Sequence, residues 1–329
     1  MKKKVLITGA SGFVGYHLIV EALQKGLEVC AAVRPDSKVD HLKHLNIRYV
    51  HLNYNSVEDL QTEIDKEQYQ YVIHAAGITK AKTLDVYNQI NAEFSRNLAI
   101  AAANAQVPIE KFVFVSSLAA IGPLSDLNLL IQDDSSPNPV TSYGKSKLLA
   151  EQYLLSIPNL PLVIIRPTAV YGPRERDLFV IFKTISKGLD PQIGRFIQQL
   201  SFVYVKDLAA ALISALELQA SQQVYNVSDG NIYSRYALAE AATRILKKKV
   251  LRIHLPLSLV SFLAVCMEQL YVKRKDTPVL NKEKMNELTA INWACDTNRI
   301  QKDLSFTPRY NLEQGLLETF NWYKDNKWL

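Results

Sequence analysis

The segment Val5-Leu6-Ile7-Thr8-Gly9-Ala10-Ser11-Gly12-Phe13-Val14-Gly15 constrains this chain more than any other stretch. A short β-rich apolar run passes directly into three spaced glycines and then into an apolar stretch of helical character. Glycine at these places permits a tight turn, lets the backbone approach a pyrophosphate, and packs helix against strand, with the helix amino end facing the anion. Gly9, Ser11, Gly12, Phe13, Val14 and Gly15 are therefore assigned to a dinucleotide phosphate turn.

From Lys4 to Ser117 short apolar runs alternate with helical stretches: VLITG, a helix from Phe13, EVCAAV, a helix around His41, IRYVHL, a helix from Val57, YVIHAAG, a long Ala-rich helix from Asn91, then KFVFVSS. Such alternation predicts βαβ units and an α/β doubly wound parallel sheet of the Rossmann type. LVIIRP from Leu162 and VYNVSD from Val224 add two strands. Residues 1–170, with 201–229 returning to them, form the expected cofactor domain. Residues 171–200 and 230–329 form a smaller, mostly helical substrate lobe over the carboxyl edge of the sheet.

Composition excludes several classes. The hydrophobic fraction of 48% is too high for a disordered chain. The net charge is +6, but its lysine runs carry no interleaved aromatics, so nucleic acid is not an expected partner. Cys30, Cys266 and Cys295 stand far apart, without a C-x-x-C pair or a histidine cluster, which points to free thiols in a reducing cytoplasm and to no metal. The opening MKKKVLITG breaks into glycines too early for a signal peptide. Leu255 to Tyr271 is the longest apolar stretch, but it contains Pro256 and Glu268 and falls short of the roughly 20 residues that span a bilayer.

Two further features bear on chemistry. The second strand runs into Arg34 with no carboxylate for the ribose hydroxyls, so Arg34, assisted by Ser37 and Lys38, is expected to hold the extra phosphate of NADP(H); NAD is the less favoured cofactor. Tyr143-Gly144-Lys145-Ser146-Lys147 places Tyr143 and Lys147 on one helix face. A free phenol titrates near about 10, and an ammonium beside it favours the phenolate, giving a proton-transfer pair at neutral pH.

The glycine turn, His74-Ala75-Ala76-Gly77, Asn91, VSSLAAIG, YGKSK and RPTAVYGP occur in the order found in extended short-chain dehydrogenases/reductases, often called the NAD-dependent epimerase/dehydratase family, and the chain resembles that family over nearly its whole length. The resemblance implies that Tyr143 is the general acid/base, that Lys147 tunes it and binds the nicotinamide ribose, and that Ser117, five residues before Gly122, bonds the reacting oxygen. It also implies that Ser116, Leu52, Ala75, Ala76, Gly77, Pro167 and Thr168 pack against the cofactor, that Asn91 is structural, and that the chain forms a homodimer; His74 belongs to the cofactor-facing end of its strand, with a structural and a chemical role both open. His51 replaces the usual acid after the third strand.

Departures from the family pattern point to the substrate. Leu118 and Ala119 stand where sugar-nucleotide dehydratases carry an Asp-Glu pair. Ala169 and Leu200 replace an Asn and an Arg common in nucleotide-sugar epimerases, leaving only Arg174, Arg176 and Arg195 to compensate for a diphosphate. With the apolar run PLSLVSFLAVCMEQL, read as lid, core helix or membrane contact with neighbouring Lys273 to Lys275, these favour a ketone or secondary alcohol on a lipophilic substrate. The resemblance is then to the hydroxysteroid dehydrogenase and dihydroflavonol reductase branch, with a sterol-like or 3-keto sphingoid lipid as substrate. A nucleotide-sugar epimerase is the alternative, and a non-catalytic NADP-sensing protein the third reading.

Overall fold

Seven apolar runs become the strands of one parallel sheet in the computed structural model, which describes residues 2–271, 278 and 280–329. They are β1 (Lys4–Thr8), β2 (Glu28–Ala32), β3 (Arg48–Val50), β4 (Tyr71–His74), β5 (Lys111–Val115), β6 (Leu162–Pro167) and β7 (Gln223–Val227), in the order β7-β6-β5-β4-β1-β2-β3. The order reverses between β1 and β4, and at such a switch point the connections leave in opposite directions and open a crevice at the carboxyl ends. The expected doubly wound sheet is what the chain forms.

The helices are α1 (Phe13–Gln24), α2 (Val57–Glu67), α3 (Leu84–Asn88), α4 (Phe94–Ala103), α5 (Ser142–Leu155), α6 (Asp177–Ser186), α7 (Val205–Ser214), α8 (Ala237–Leu246), α9 (Leu257–Tyr271), α10 (Lys282–Thr289), α11 (Asn298–Asp303) and α12 (Leu312–Asp325). Alternate residues of each strand feed two cores. Val5 and Ile7 pack with Leu18 of α1 and Leu212 of α7, whereas Leu6 packs with Leu60 of α2, Leu98 of α4 and Leu154 of α5. A sheet covered on both faces needs apolar residues at nearly every position, which is why these strands read as unbroken apolar runs. A third core joins Tyr171, Tyr204, Phe182, Leu238, Leu316 and Phe320, and carries the carboxyl-terminal helices.

Local expectations hold less well. The helix around His41 shrinks to a single 3₁₀ turn, Asp40–Leu42. Asn91 does not open a helix: it lies in a π-helical stretch, Gln89–Glu93, that joins α3 to α4. The region after Asp229 contributes strands as well as helices. Tyr233–Ser234 pairs antiparallel with Gln199–Leu200, and Leu251–Leu255 pairs parallel with Leu189–Ile193. Strands this short carry too little alternation to be recognised from sequence. Among the described residues no helix is long and apolar enough to cross a membrane. Lys273 to Lys275 lie outside the described residues.

Candidate active site

The phosphate turn has the geometry its glycines call for. Gly9 adopts φ 67°, and a Cβ there would come within 2.6 Å of the Ala75 carbonyl oxygen; a Cβ on Gly15 would collide with the Gly9 carbonyl. The Gly12 N–H donates to the Gly9 carbonyl (2.9 Å), and Gly12 caps α1 with no side chain and no acid in the first turn. The amino end of α1 thus keeps its N–H donors and positive dipole for an anion. Ser11, Phe13 and Val14 line this turn, half-buried.

Beside the turn, His74 ends β4 fully buried. Ser95 gives its proton to the Asn91 carbonyl (2.7 Å), so the His74 Nε2–H donates to Ser95 Oγ (2.8 Å) and Nδ1 accepts from Thr8 (2.7 Å). Burial holds its pKa down at about 3, so the ring is neutral, and both its nitrogens are taken up by side-chain hydrogen bonds. Thr8 Oγ1 also accepts from Ala76 N–H (3.0 Å), fixing the Ala75-Ala76-Gly77 loop. The buried amide of Asn91 accepts from Ile78 N–H (2.8 Å) and donates to the Ile78 carbonyl (3.0 Å) and to Ser146 Oγ (3.0 Å). The π stretch aims Asn91 so that it ties this loop to α5. Ser146 is a member of the network that the sequence reading passed over, although it lies inside YGKSK.

The structure sets the Ser117 hydroxyl against the Tyr143 phenol, with Lys147 one turn further along the same helix. Ser117 lies two residues beyond the end of β5 and caps a 3₁₀ turn, accepting from Ala119 N–H (3.2 Å). Thr141 caps α5 by accepting from Gly144 N–H (3.0 Å), and a Cβ on Gly144 would collide with the Ala119 carbonyl. Gly144 therefore lets the first turn of α5 press against the Ser117 turn. Burial pushes the Tyr143 phenol up to about 12, against the neighbouring Ser117 hydroxyl, which pulls it down. Lys147 is buried, donates to the Val115 carbonyl (2.8 Å) and lies 4.7 Å from the centre of the Phe114 ring; burial brings its pKa down to about 8. The expected acidified phenol is thus corrected: loss of water around Tyr143 outweighs any help from an ammonium that is itself desolvated and engaged elsewhere.

Ser116 is also placed differently from expectation. Its hydroxyl donates to Glu151 Oε1 (2.5 Å), and Glu151 is ion-paired with Arg166 (2.6 Å) in the interior. The hydroxyl is committed to α5 and β6, not turned toward a cofactor. Arg34 stands 78% exposed beyond β2, 3.7 Å from Asp36, with its N–H donating to Ser37 Oγ (3.1 Å), and Lys38 is exposed beside it. His51 donates to the Val33 carbonyl (2.8 Å), with half-buried Leu52 following. Pro167 ends β6 against Val227, and the Thr168 hydroxyl is buried with no partner. Two residues were missed altogether. His41 bonds the Ser11 backbone, and Glu283 of α10 accepts from Ser142 Oγ (2.5 Å) and N–H (3.0 Å) next to Tyr143. Neither belongs to a motif, and only the fold brings them to the site.

The sequence pattern of the NAD dependent epimerase/dehydratase family matches residues 5–228. The chain belongs to this family. Among its relatives, a UDP-glucose 4-epimerase of Vibrio cholerae is 27% identical, over 78% of this chain and 80% of its own. A ceramide reductase of Caulobacter vibrioides is 26% identical, over 99% of this chain and 96% of its own. A UDP-glucuronic acid 4-epimerase from Bacillus cereus, solved in complex with NAD, shares the fold with a TM-score of 0.76 at 20% identity, over 98% of this chain and 99% of its own.

Members of the epimerase/dehydratase family are enzymes that use a nicotinamide dinucleotide, and the crevice fits one: the glycine cradle faces the uncapped end of α1, and the partnerless Thr168 hydroxyl sits at the end of β6. The arginines that could serve a sugar diphosphate are placed differently. Arg174 stacks on Tyr16 (4.1 Å) and Arg176 lies 5.9 Å from Trp328, while Arg195 is exposed. Leu118 is buried beside Ser117, and no carboxylate follows that serine.

Proposed function

We propose that this protein is an NADP(H)-dependent oxidoreductase that interconverts a ketone and a secondary alcohol on a lipophilic substrate, a sterol-like or 3-keto sphingoid lipid. The observation that carries the reading is the Tyr143 phenol bonded to the Ser117 hydroxyl, with Leu118 and Ala119, not carboxylates, directly after that serine. A tyrosine at about 12 is an acid at neutral pH, which suits the reductive direction. When bound, the reduced dinucleotide supplies the hydride that reaches the carbonyl carbon. Tyr143 gives its proton to the carbonyl oxygen, and Ser117 donates a hydrogen bond to the same oxygen. Lys147, charged below about pH 8, stands ready to bond the ribose.

Arg34 supports NADP, because its guanidinium is exposed and its contact with Asp36 is a weak surface pair that a phosphate dianion would displace. The apolar Ala169 and Leu200, and the commitment of Arg174 and Arg176 to aromatic rings, support a substrate without a diphosphate. The similarity to the Vibrio cholerae UDP-glucose 4-epimerase favours a second reading, nucleotide-sugar epimerisation with a recycled cofactor. An NADPH-oxidation screen over lipid ketones and nucleotide sugars separates the two. NADPH consumption with lipid ketones, lost by roughly a thousandfold in Tyr143→Phe while dinucleotide titration is unchanged, is the expected result. Sugar epimerisation without net NADPH consumption would overturn it.

A further inference from the structure

The α9 helix is the least covered apolar element among the described residues. Only Val260 and Ala264 are buried, where they meet Met285 of α10 and the edge residues Ile193 and Leu255. On its outer side Leu259, Phe262, Leu263 and Leu270 follow one another at helical spacing, with Phe262 65% and Leu270 70% exposed. The apolar surface does not stop at the helix. Leu255 and Ile193 end a two-stranded parallel ribbon in which Leu251 pairs with Leu189, and alternate residues of a strand share a face. That face runs out from beneath α9 through Ile253 to Leu251, which is 64% exposed.

Charge at the end of the ribbon away from α9 is basic. One residue short of each ribbon strand stand lysines, Lys187 on one side and Lys247, Lys248 and Lys249 on the other, and all four are exposed. The acids of the ribbon region face the other way: Asp190 is buried and paired with Arg252 (2.7 Å), which also reaches Glu240. The acid of α9, Glu268, accepts from Lys282 N–H (2.9 Å). We infer that α9 and the ribbon form a docking surface for an anionic phospholipid bilayer, with the apolar side chains entering the acyl boundary and the lysines meeting headgroup phosphates. Helix and ribbon too short to cross would lie in the interface. A second copy of this chain fits worse, because a two-fold interface would set the same lysine cluster against itself.

The surface also connects to the crevice. The α9 helix packs on α10, whose Glu283 holds Ser142 at the start of the helix that carries Tyr143.

The test is co-sedimentation of the full chain with vesicles of phosphatidylcholine alone and of phosphatidylcholine mixed with phosphatidylglycerol. Binding is expected to the mixed vesicles only and to fall steeply with salt, as headgroup attraction is screened. Phe262→Asp and the double variant Lys247→Glu/Lys249→Glu should each weaken binding at least roughly tenfold, with dinucleotide titration unchanged as the sign of an intact fold. No binding, equal binding to both vesicle types, or wild-type binding by Phe262→Asp would overturn the inference, as would a lipid-free dimer that shields Phe262 from hydrogen exchange. Because the readout is binding without turnover, its failure is separate from failure of the lipid-ketone assay.

Discussion

At Tyr143 two effects oppose each other, and burial wins: removal from water raises the phenol to about 12, while the Ser117 hydroxyl pulls the other way. Lys147 meets the same desolvation with the opposite sign, because its charged form is the cation, and it comes down to about 8. If the ammonium is needed, kcat/KM for ketone reduction falls as pH rises through about 8. Lys147→Arg should remove that limb, since a guanidinium does not titrate there. A limb unchanged in the variant would assign it to another group. Arg34→Ala should weaken NADP binding by about tenfold or more and leave NAD binding nearly unchanged, because a lost charge-assisted bond to a phosphate is worth roughly 1.5–3 kcal/mol. Equal losses for both dinucleotides, measured by fluorescence titration, would remove Arg34 from the phosphate site.

At the scale of elements, the site is assembled from strand ends and from two helices held at fixed distances. The α5 helix is anchored at its start by Thr141 and Glu283, near its middle by Asn91 through Ser146, and further on by Glu151. Gly144 sets the distance between the Tyr143 turn and the Ser117 turn. Gly144→Ala should separate them, at a stability cost of about 1–3 kcal/mol from overpacking and with kcat falling more than KM rises. Thermal unfolding and steady-state kinetics read the two effects separately; wild-type values of both would mean that the turn relaxes freely. YGKSK announced the helix that carries Tyr143 and Lys147. The π stretch around Asn91 was not legible, because an i→i+5 turn has no residue signature, and Asn91 was expected at a helix start.

At the scale of the whole molecule, two buried neutral histidines link stability to pH. His17 faces the Pro173 carbonyl (3.1 Å), and burial holds it down at about 4; His74 is down at about 3. In the unfolded chain both titrate near about 6.5, so below that value the unfolded chain binds more protons than the folded one. Their contribution is complete above about pH 6.5 and is lost as pH falls toward about 4, by on the order of 3 kcal/mol for His17 alone. Urea midpoints should drop through that window, with a shallower slope in His17→Gln. A midpoint independent of pH between about 6.5 and 4 would contradict the burial of both rings.

The order of motifs along the chain was enough to determine the sheet, the phosphate turn and the placing of Tyr143 and Lys147 on one helix, because a turn between strand and helix and an i,i+4 helix pair are local geometry that residue types can dictate. Tertiary structure decided what depends on surroundings. Burial left the phenol protonated, the Glu151–Arg166 pair drew Ser116 inward, and α9, whose periodicity suits core, lid or surface alike, came to lie mostly exposed. Periodicity records which side chains share a face; only packing determines whether protein or solvent lies against that face.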